Sequence, residues 1–390
     1  MTSLTLPRQD GSLEEYRLAG TPIERPQTPP AFSRIAYAAA HVVSDPLRDL
    51  DPWGNPAIDW EATMAFRHHL WSLGFKIAEA MDTAQRGMGL AWPGAQQLIR
   101  RSLADARQVP GADLACGAGT DHLVPADARS LDGVIAAYEE QVGFVEGEGG
   151  RAIMMASRAL ARVARSADDY RHVYGRILGQ TQHKVVLHWL GDMFDPQLKG
   201  YWGSEDFDQA LDTVLSIIEA NRDRIEGIKI SLLDNAKEVA LRNRLPEGVL
   251  CFTGDDFNYA ELIEGDGTKY SHALLGIFDA VAPSASKALA ALAGGDVKTF
   301  RGVIEPTVPL SRKIFEAPTQ YYKAGVVFLA WLNGHQRHFT MPAGMQSARG
   351  VLHYSDIFRL ADRANVLDRP ELAVQRMQSL LSTLGIDQGA

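Results

Sequence analysis

From Arg34 onward the chain alternates short apolar runs with longer segments whose apolar residues recur at helical spacing. RIAYAAAHVV (34–43) predicts a strand. IDWEATMAFRHHLWSLG (58–74) predicts a helix, with an acidic first turn and a closing glycine. The pair then recurs. Strands are predicted over 75–82, 113–120, 151–157, 184–190, 225–233, 248–255 and 273–283, and helices over 92–107, 131–149, 167–181, 206–223, 235–246 and 258–266. The strand runs are nearly continuous in apolar residues, as expected where both faces of a parallel sheet are buried. Alternating strands and helices imply parallel pairing with right-handed crossovers, and eight such units can close on themselves. An open doubly wound sheet would be marked by GxGxxG after its first strand, and none is present. The expected fold is therefore α/β, a (β/α)8 TIM barrel over 31–283. A polar extension or short hairpin (1–30) precedes it. A helical appendage (284–390) follows, predicted from KALAALAGGDVKTFRGVIEPTVPLSRKIF, TQYYKAGVVFLAWLNGH and two later amphipathic stretches.

Composition narrows the function classes. The 390 residues carry a net charge of -9, which disfavours nucleic acid as a partner. Cys116 and Cys251 form no CxxC pair and read as buried small hydrophobes rather than a zinc or redox site. The N-terminal stretch has no signal pattern, and no apolar run approaches the ~18 residues of a membrane span. A cytoplasmic enzyme with no membrane partner is expected.

Barrel enzymes carry their chemistry at the C-terminal ends of the strands. That rule picks out His41, Glu79, Asp82, Asp121, His122, Ser157, Arg158, His188, Asp192, Lys229, Asp255, Asp256 and Asp279. Lys229 is the most informative, because it lies within GIKIS between two isoleucines. Desolvation disfavours its ammonium form, and a neutral amine in a dry pocket attacks ketones. The competing reading is a rim lysine in a salt bridge or reaching to water.

Several segments in chain order resemble the dihydrodipicolinate synthase and N-acetylneuraminate lyase family of class I aldolases. IEGIKIS resembles the family's sixth strand, VLCFTGDD its SGDD-type seventh strand, and GIFDAVAP its eighth. AIMMAS, CGAGTDH, GNPAIDWEATMAF and EAPTQYYKAGVVFLAWLNG resemble further family segments, so that the likeness covers roughly 34–335. The resemblance implies a barrel in which Lys229 forms a Schiff base, with no cofactor, in a homodimer or homotetramer. The chain departs from the family in several places: the fourth strand has SRAL in place of PYY, no arginine follows as after the family's YNxP, and two further changes bear on the site. AMDTAQRG (80–87) stands where the family has GTTGE, leaving Thr83 as the counterpart of its carboxylate-holding threonines. VVLHWLGD stands where the family has a proton-shuttling tyrosine in YNxP, leaving His188.

The expected activity is that of a Schiff-base lyase, aldolase or dehydratase acting on a small 2-keto acid or keto-sugar-acid derivative. Lys229 and His188 are the expected catalytic pair, His188 because imidazole both takes and gives protons near neutral pH. Asp82, Thr83, Asp121, His122, Asp255 and Asp279 are the expected substrate-binding residues. No metal is assigned. Two other readings stay open: a metal-dependent isomerase or class II-type aldolase using the His, Asp and Glu side chains at the mouth, and a non-catalytic ligand-binding barrel. Against the metal, no HxH or ExxH spacing appears, and Lys229 would face the cation.

Overall fold

The computed structural model describes residues 3–48, 51, 53–54 and 56–386. Two compact units emerge: Arg34–Ala40 with Lys76–Leu275, and Met1–Ser33 with His41–Phe75 and Gly276–Ala390.

The elements run in chain order as β1 (Ser3–Pro7), β2 (Leu13–Arg17), β3 (Ala36–Ala39), α1 (Trp60–Ser72), β4 (Lys76–Glu79), α2 (Trp92–Ala106), β5 (Leu114–Ala118), α3 (Leu131–Gly147) and β6 (Ala152–Met154). They continue as α4 (Arg158–Val163), α5 (Ala167–Leu178), β7 (Val185–Leu190), α6 (Phe207–Ala220), β8 (Ile225–Ser231), α7 (Asn235–Arg244), β9 (Leu250–Thr253), α8 (Tyr259–Glu264) and β10 (His272–Leu275). The helices α9 (Ile277–Ala280), α10 (Ala282–Ala293), α11 (Val297–Ile304), α12 (Val308–Ile314), α13 (Tyr322–Leu332), α14 (Val351–Arg363) and α15 (Pro370–Thr383) complete the chain.

Strands β3 to β10 pair in parallel and close into an eight-stranded barrel, β10 returning to β3. Inside it, Tyr37, Ala78, Met81, Ala115, Ile153, Val186, Phe252 and Leu274 form one buried cluster. Small residues on β3 to β5 make room for the two rings, Tyr37 and Phe252, which meet edge to face at 5.9 Å. The N-terminal end of the barrel is closed by ions. Arg151 donates to Asp113 at 2.8 Å, to Glu226 at 3.0 Å and to the Tyr37 hydroxyl at 3.0 Å, while Lys76 reaches Asp113 at 2.6 Å. Burial pushes the Asp113 carboxyl up, but the hydrogen bond from Lys76 and the charge of Arg151 outweigh it and hold the group below its ordinary range.

A buried carboxyl sits on α7. Glu238 accepts from the Ser271 hydroxyl at 2.6 Å, yet among the described residues its Oε2 lacks a partner. Burial pushes its pKa up to about 8, against the hydrogen bond from Ser271.

In the second unit the chain opens with the antiparallel hairpin β1–β2. Leu4 and Leu6 are buried, and Arg359 of α14 donates to the Pro7 carbonyl at 3.0 Å. The helical stretches predicted beyond residue 284 are present as α10 to α15.

Two segments differ from the sequence expectation. GIFDAVAP is not strand: β10 ends at Leu275, and the segment enters α9 and α10, with Pro283 in the first turn of α10. A fully apolar run satisfies either period, and proline in a first helical turn costs no hydrogen bond. Between the strand predicted over 151–157 and the helix predicted over 167–181, the structure adds the short helix α4, which Ser157 caps by accepting from the Leu160 amide at 2.9 Å.

Candidate active site

Lys229 is the fifth residue of β8, in register with His188 on β7 and Phe252 on β9. It is 8% exposed. The strand folds as it does because the residues on either side, Ile228 and Ile230, are buried in the barrel wall, which leaves the lysine on the opposite face. Its stem runs past Gly254. A Cβ on that glycine would lie 2.6 Å from Lys229 Cε and 2.1 Å from Ser231 Oγ, so a side chain there would collide with both.

Among the described residues no hydrogen bond or ion pair reaches the Lys229 amine. Burial lowers its pKa below the ordinary lysine value, and the charges of Asp256 and Asp82 oppose that only in part. His188 is fully buried; its Nε2 lies 3.3 Å from Ser231 Oγ, and its Nδ1 has no partner among the described residues. Burial, and then the charge of Lys229, push the imidazole well below its usual range, so His188 is neutral at neutral pH.

A cavity of about 140 Å³ opens at the C-terminal ends of β4 to β7. It is lined by Asp82 and Arg86 after β4, Asp121 after β5, Arg158 after β6 and His188 on β7. Lys229 is not itself part of the lining, but it stands beside two residues that are, His188 across the strand pair and Asp82 through its charge. At roughly 10–15 Å³ per water-sized centre the cavity has room for on the order of ten non-hydrogen atoms.

The other expected site residues fall into three groups. Asp82 lines the cavity, and Thr83 is buried in the same turn without lining it. Asp121 lines the cavity, but both its oxygens face Arg86, at 2.5 and 3.1 Å, and Gln141 also donates to it at 2.8 Å. Burial alone would raise its pKa; Arg86 outweighs that and holds it low. His122 is engaged by Gln141 at 2.8 Å and Glu140 at 3.2 Å and lies against Trp92. Asp255 accepts from the Phe257 and Asn258 amides and from Asn258 Nδ2, the pattern of a turn-closing carboxylate. Asp279 belongs to the second unit, where its Oδ2 accepts from the His41 amide at 2.7 Å and faces His41 Nδ1 at 2.8 Å.

Of the carboxylates and imidazoles considered for a metal, Asp82, Asp121 and His188 share the cavity, and the others are not part of its lining. Glu79 turns to the Ser102 hydroxyl at 2.5 Å and the Ala80 amide at 2.8 Å, and Asp192 is exposed. Among the described residues no group of three His, Cys, Asp or Glu side chains is placed to hold an ion.

Arg86 is the residue the sequence did not single out. Its guanidinium, 1% exposed, also donates to the Ala80 and Gly117 carbonyls at 3.2 and 3.1 Å and to Gln141 at 2.8 Å. These bonds clamp the turn after β4, where Ala80 takes the left-handed conformation at φ 52°. A non-glycine residue there costs ~1 kcal/mol or more, which the clamp sustains.

The fold is shared with solved dihydrodipicolinate synthases. The enzyme from Thermotoga maritima matches with a TM-score of 0.60 at 15% identity, over 86% of this chain and 100% of its own. Those from Aquifex aeolicus (0.63, 11%, 86% and 99%) and Agrobacterium tumefaciens (0.60, 12%, 85% and 98%) are similar. No curated protein sequence matches the chain. At these identities the likeness is one of fold, and it agrees with the closed eight-stranded barrel described above. A family model covers nearly the whole length, residues 4–386, and by that match the chain belongs to the family described as Protein of unknown function (DUF993).

Proposed function

We propose that this protein is a lyase of the class I aldolase type that processes a small 2-keto acid through an imine on Lys229. One observation carries the reading: a buried lysine amine with no ion-pair partner among the described residues stands beside a cavity at the C-terminal end of a barrel. The shared fold is consistent with it.

In this reading the neutral amine adds to the ketone carbon, the oxygen takes up one proton from solvent, and the carbinolamine loses water to give a protonated imine. The iminium then accepts the electron pair of the C–C bond broken at the neighbouring carbon, the other fragment leaving as a carbonyl compound once its hydroxyl gives up a proton, and an enamine results. Protonation of the enamine and hydrolysis release the product and restore the lysine. His188 serves the proton transfers. With Nε2–H donating to Ser231, its Nδ1, which has no partner among the described residues, keeps a lone pair, takes a proton from the attacking nitrogen and passes it to the departing hydroxyl. The cavity's size favours compact substrates over long sugar acids. Assembly into a homodimer or homotetramer is part of the same proposal.

Borohydride reduction in the presence of a panel of 2-keto acids tests the imine. Added mass at Lys229 with at least one of them is expected. Lys229 left unmodified across the panel sinks the reading.

A further inference from the structure

The cavity holds two guanidinium groups in different states. Arg86 spends its fork on Asp121, Gln141 and two carbonyls. Arg158 has one partner, with Nε donating to Asp195 Oδ2. Asp195 is itself occupied, since its Oδ1 accepts from the Gln197 amide at 3.1 Å. Among the described residues nothing engages Nη1 or Nη2 of Arg158. Nη1 lies near Gly87 across the lining, 3.9 Å from where that glycine's Cβ would be. The Arg158 side chain is 38% exposed, so ligand can reach it. A guanidinium anchored through Nε keeps two parallel N–H groups, the geometry that receives a carboxylate bidentately.

We infer that Arg158, steadied by Asp195, is the carboxylate-recognising residue of this cavity and selects keto acids over neutral ketones. It opens α4, the helix after β6, and takes over the task that threonines after β4 cannot perform here, where AMDTAQRG supplies only Thr83, buried and outside the lining. Arg86 adds positive potential but is too fully bonded to bind an anion. The carboxylate of Asp82 also lines the cavity and opposes a second anion on its own side, so the ligand's carboxylate lies toward Arg158. This inference rests on the proposed imine chemistry for its choice of ketone, and the test separates the two.

Malonate, which forms no imine, is titrated calorimetrically into the wild-type protein and into Arg158→Gln and Arg158→Lys, with thermal melts confirming that each variant is folded. Binding at least tenfold weaker in Arg158→Gln and partly restored in Arg158→Lys is expected. In parallel, borohydride trapping is measured against concentration for pyruvate and for the neutral ketone hydroxyacetone. Arg158→Gln is expected to raise the half-saturating pyruvate concentration at least tenfold and to leave hydroxyacetone within twofold. Equal losses for the two ketones, unchanged malonate affinity in folded Arg158→Gln, or no malonate binding to wild type at millimolar concentration would each overturn the inference. No trapping with either ketone, alongside malonate binding that depends on Arg158, would uphold the anion site while removing the Lys229 chemistry.

Discussion

The two ends of the barrel treat charge differently. At the N-terminal end one network of four ions is matched: Arg151 serves Asp113 and Glu226, and Lys76 shares Asp113. At the C-terminal end, among the described residues, Lys229 has no counterion within bonding reach, His188 leaves a nitrogen unused, and Arg158 uses only part of its fork. The first end is electrostatically finished, and its ions can only hold the strands together. The second end keeps donors and acceptors in reserve, which is costly for folding unless a ligand engages them. Saturation, more than residue type, separates scaffold from chemistry in this molecule.

Substitutions at the two ends should therefore act on different observables. The largest effect is expected for Lys229→Ala: loss of imine trapping and at least ~1000-fold lower turnover, about 4 kcal/mol in the barrier. Its melting temperature should hold or rise, because an uncompensated buried amine is removed. A large fall in stability with activity retained would invert the comparison. Arg86→Met comes next. It strands Asp121 and frees the turn after β4, and chemical denaturation should register a loss of roughly 3–5 kcal/mol, as for other broken buried pairs.

Glu238→Gln tests the wall between the ends. The folded-state pKa is raised to about 8, so the folded protein binds more protons than the unfolded chain between the ordinary glutamate value and that figure. Stability should therefore fall as pH rises through this window. Glu238→Gln should flatten the slope and gain on the order of 2 kcal/mol at pH 8. A pH profile identical to wild type would contradict the assignment. The smallest effect belongs to Arg151→Gln, about 1 kcal/mol and weakened by salt, since its network is partly exposed. Because the Asp113 carboxyl is depressed, its contribution is complete above the unfolded carboxylate pKa and fades as pH drops through the folded value. Acid titration of Arg151→Gln should show that fading at higher pH than wild type, with keto-acid trapping unaltered.

The order and spacing of the strands were legible because each is a short apolar run set off by turn residues and amphipathic helices. Lys229 stood out for the same reason, a charge where the pattern demanded none. The end of the barrel was not legible, since HALLGIFDAVAP is apolar throughout and only tertiary packing decides where strand becomes helix. Arg86 was hidden more deeply. It lies in a polar turn with no periodicity, and it becomes buried only when Asp121 and Gln141, 35 and 55 residues later, fold around it. Asp121 and His122 were visible as polar groups after a strand, but their mutual engagement through Gln141 was not, because no local pattern encodes a bond to a helix 20 residues on.

The tight passage beside Gly254 fixes that position independently of the amine it borders. A methyl group there would meet Ser231 Oγ at 2.1 Å, Lys229 Cε at 2.6 Å and the Ile230 carbonyl at 2.9 Å, so it cannot be accepted without displacing β8 or β9. A lineage that exchanges the lysine for something shorter removes one of the three contacts and keeps the other two. Across relatives, glycine at 254 should thus outlast the lysine, and its presence alone does not mark a barrel that carries out the proposed imine chemistry.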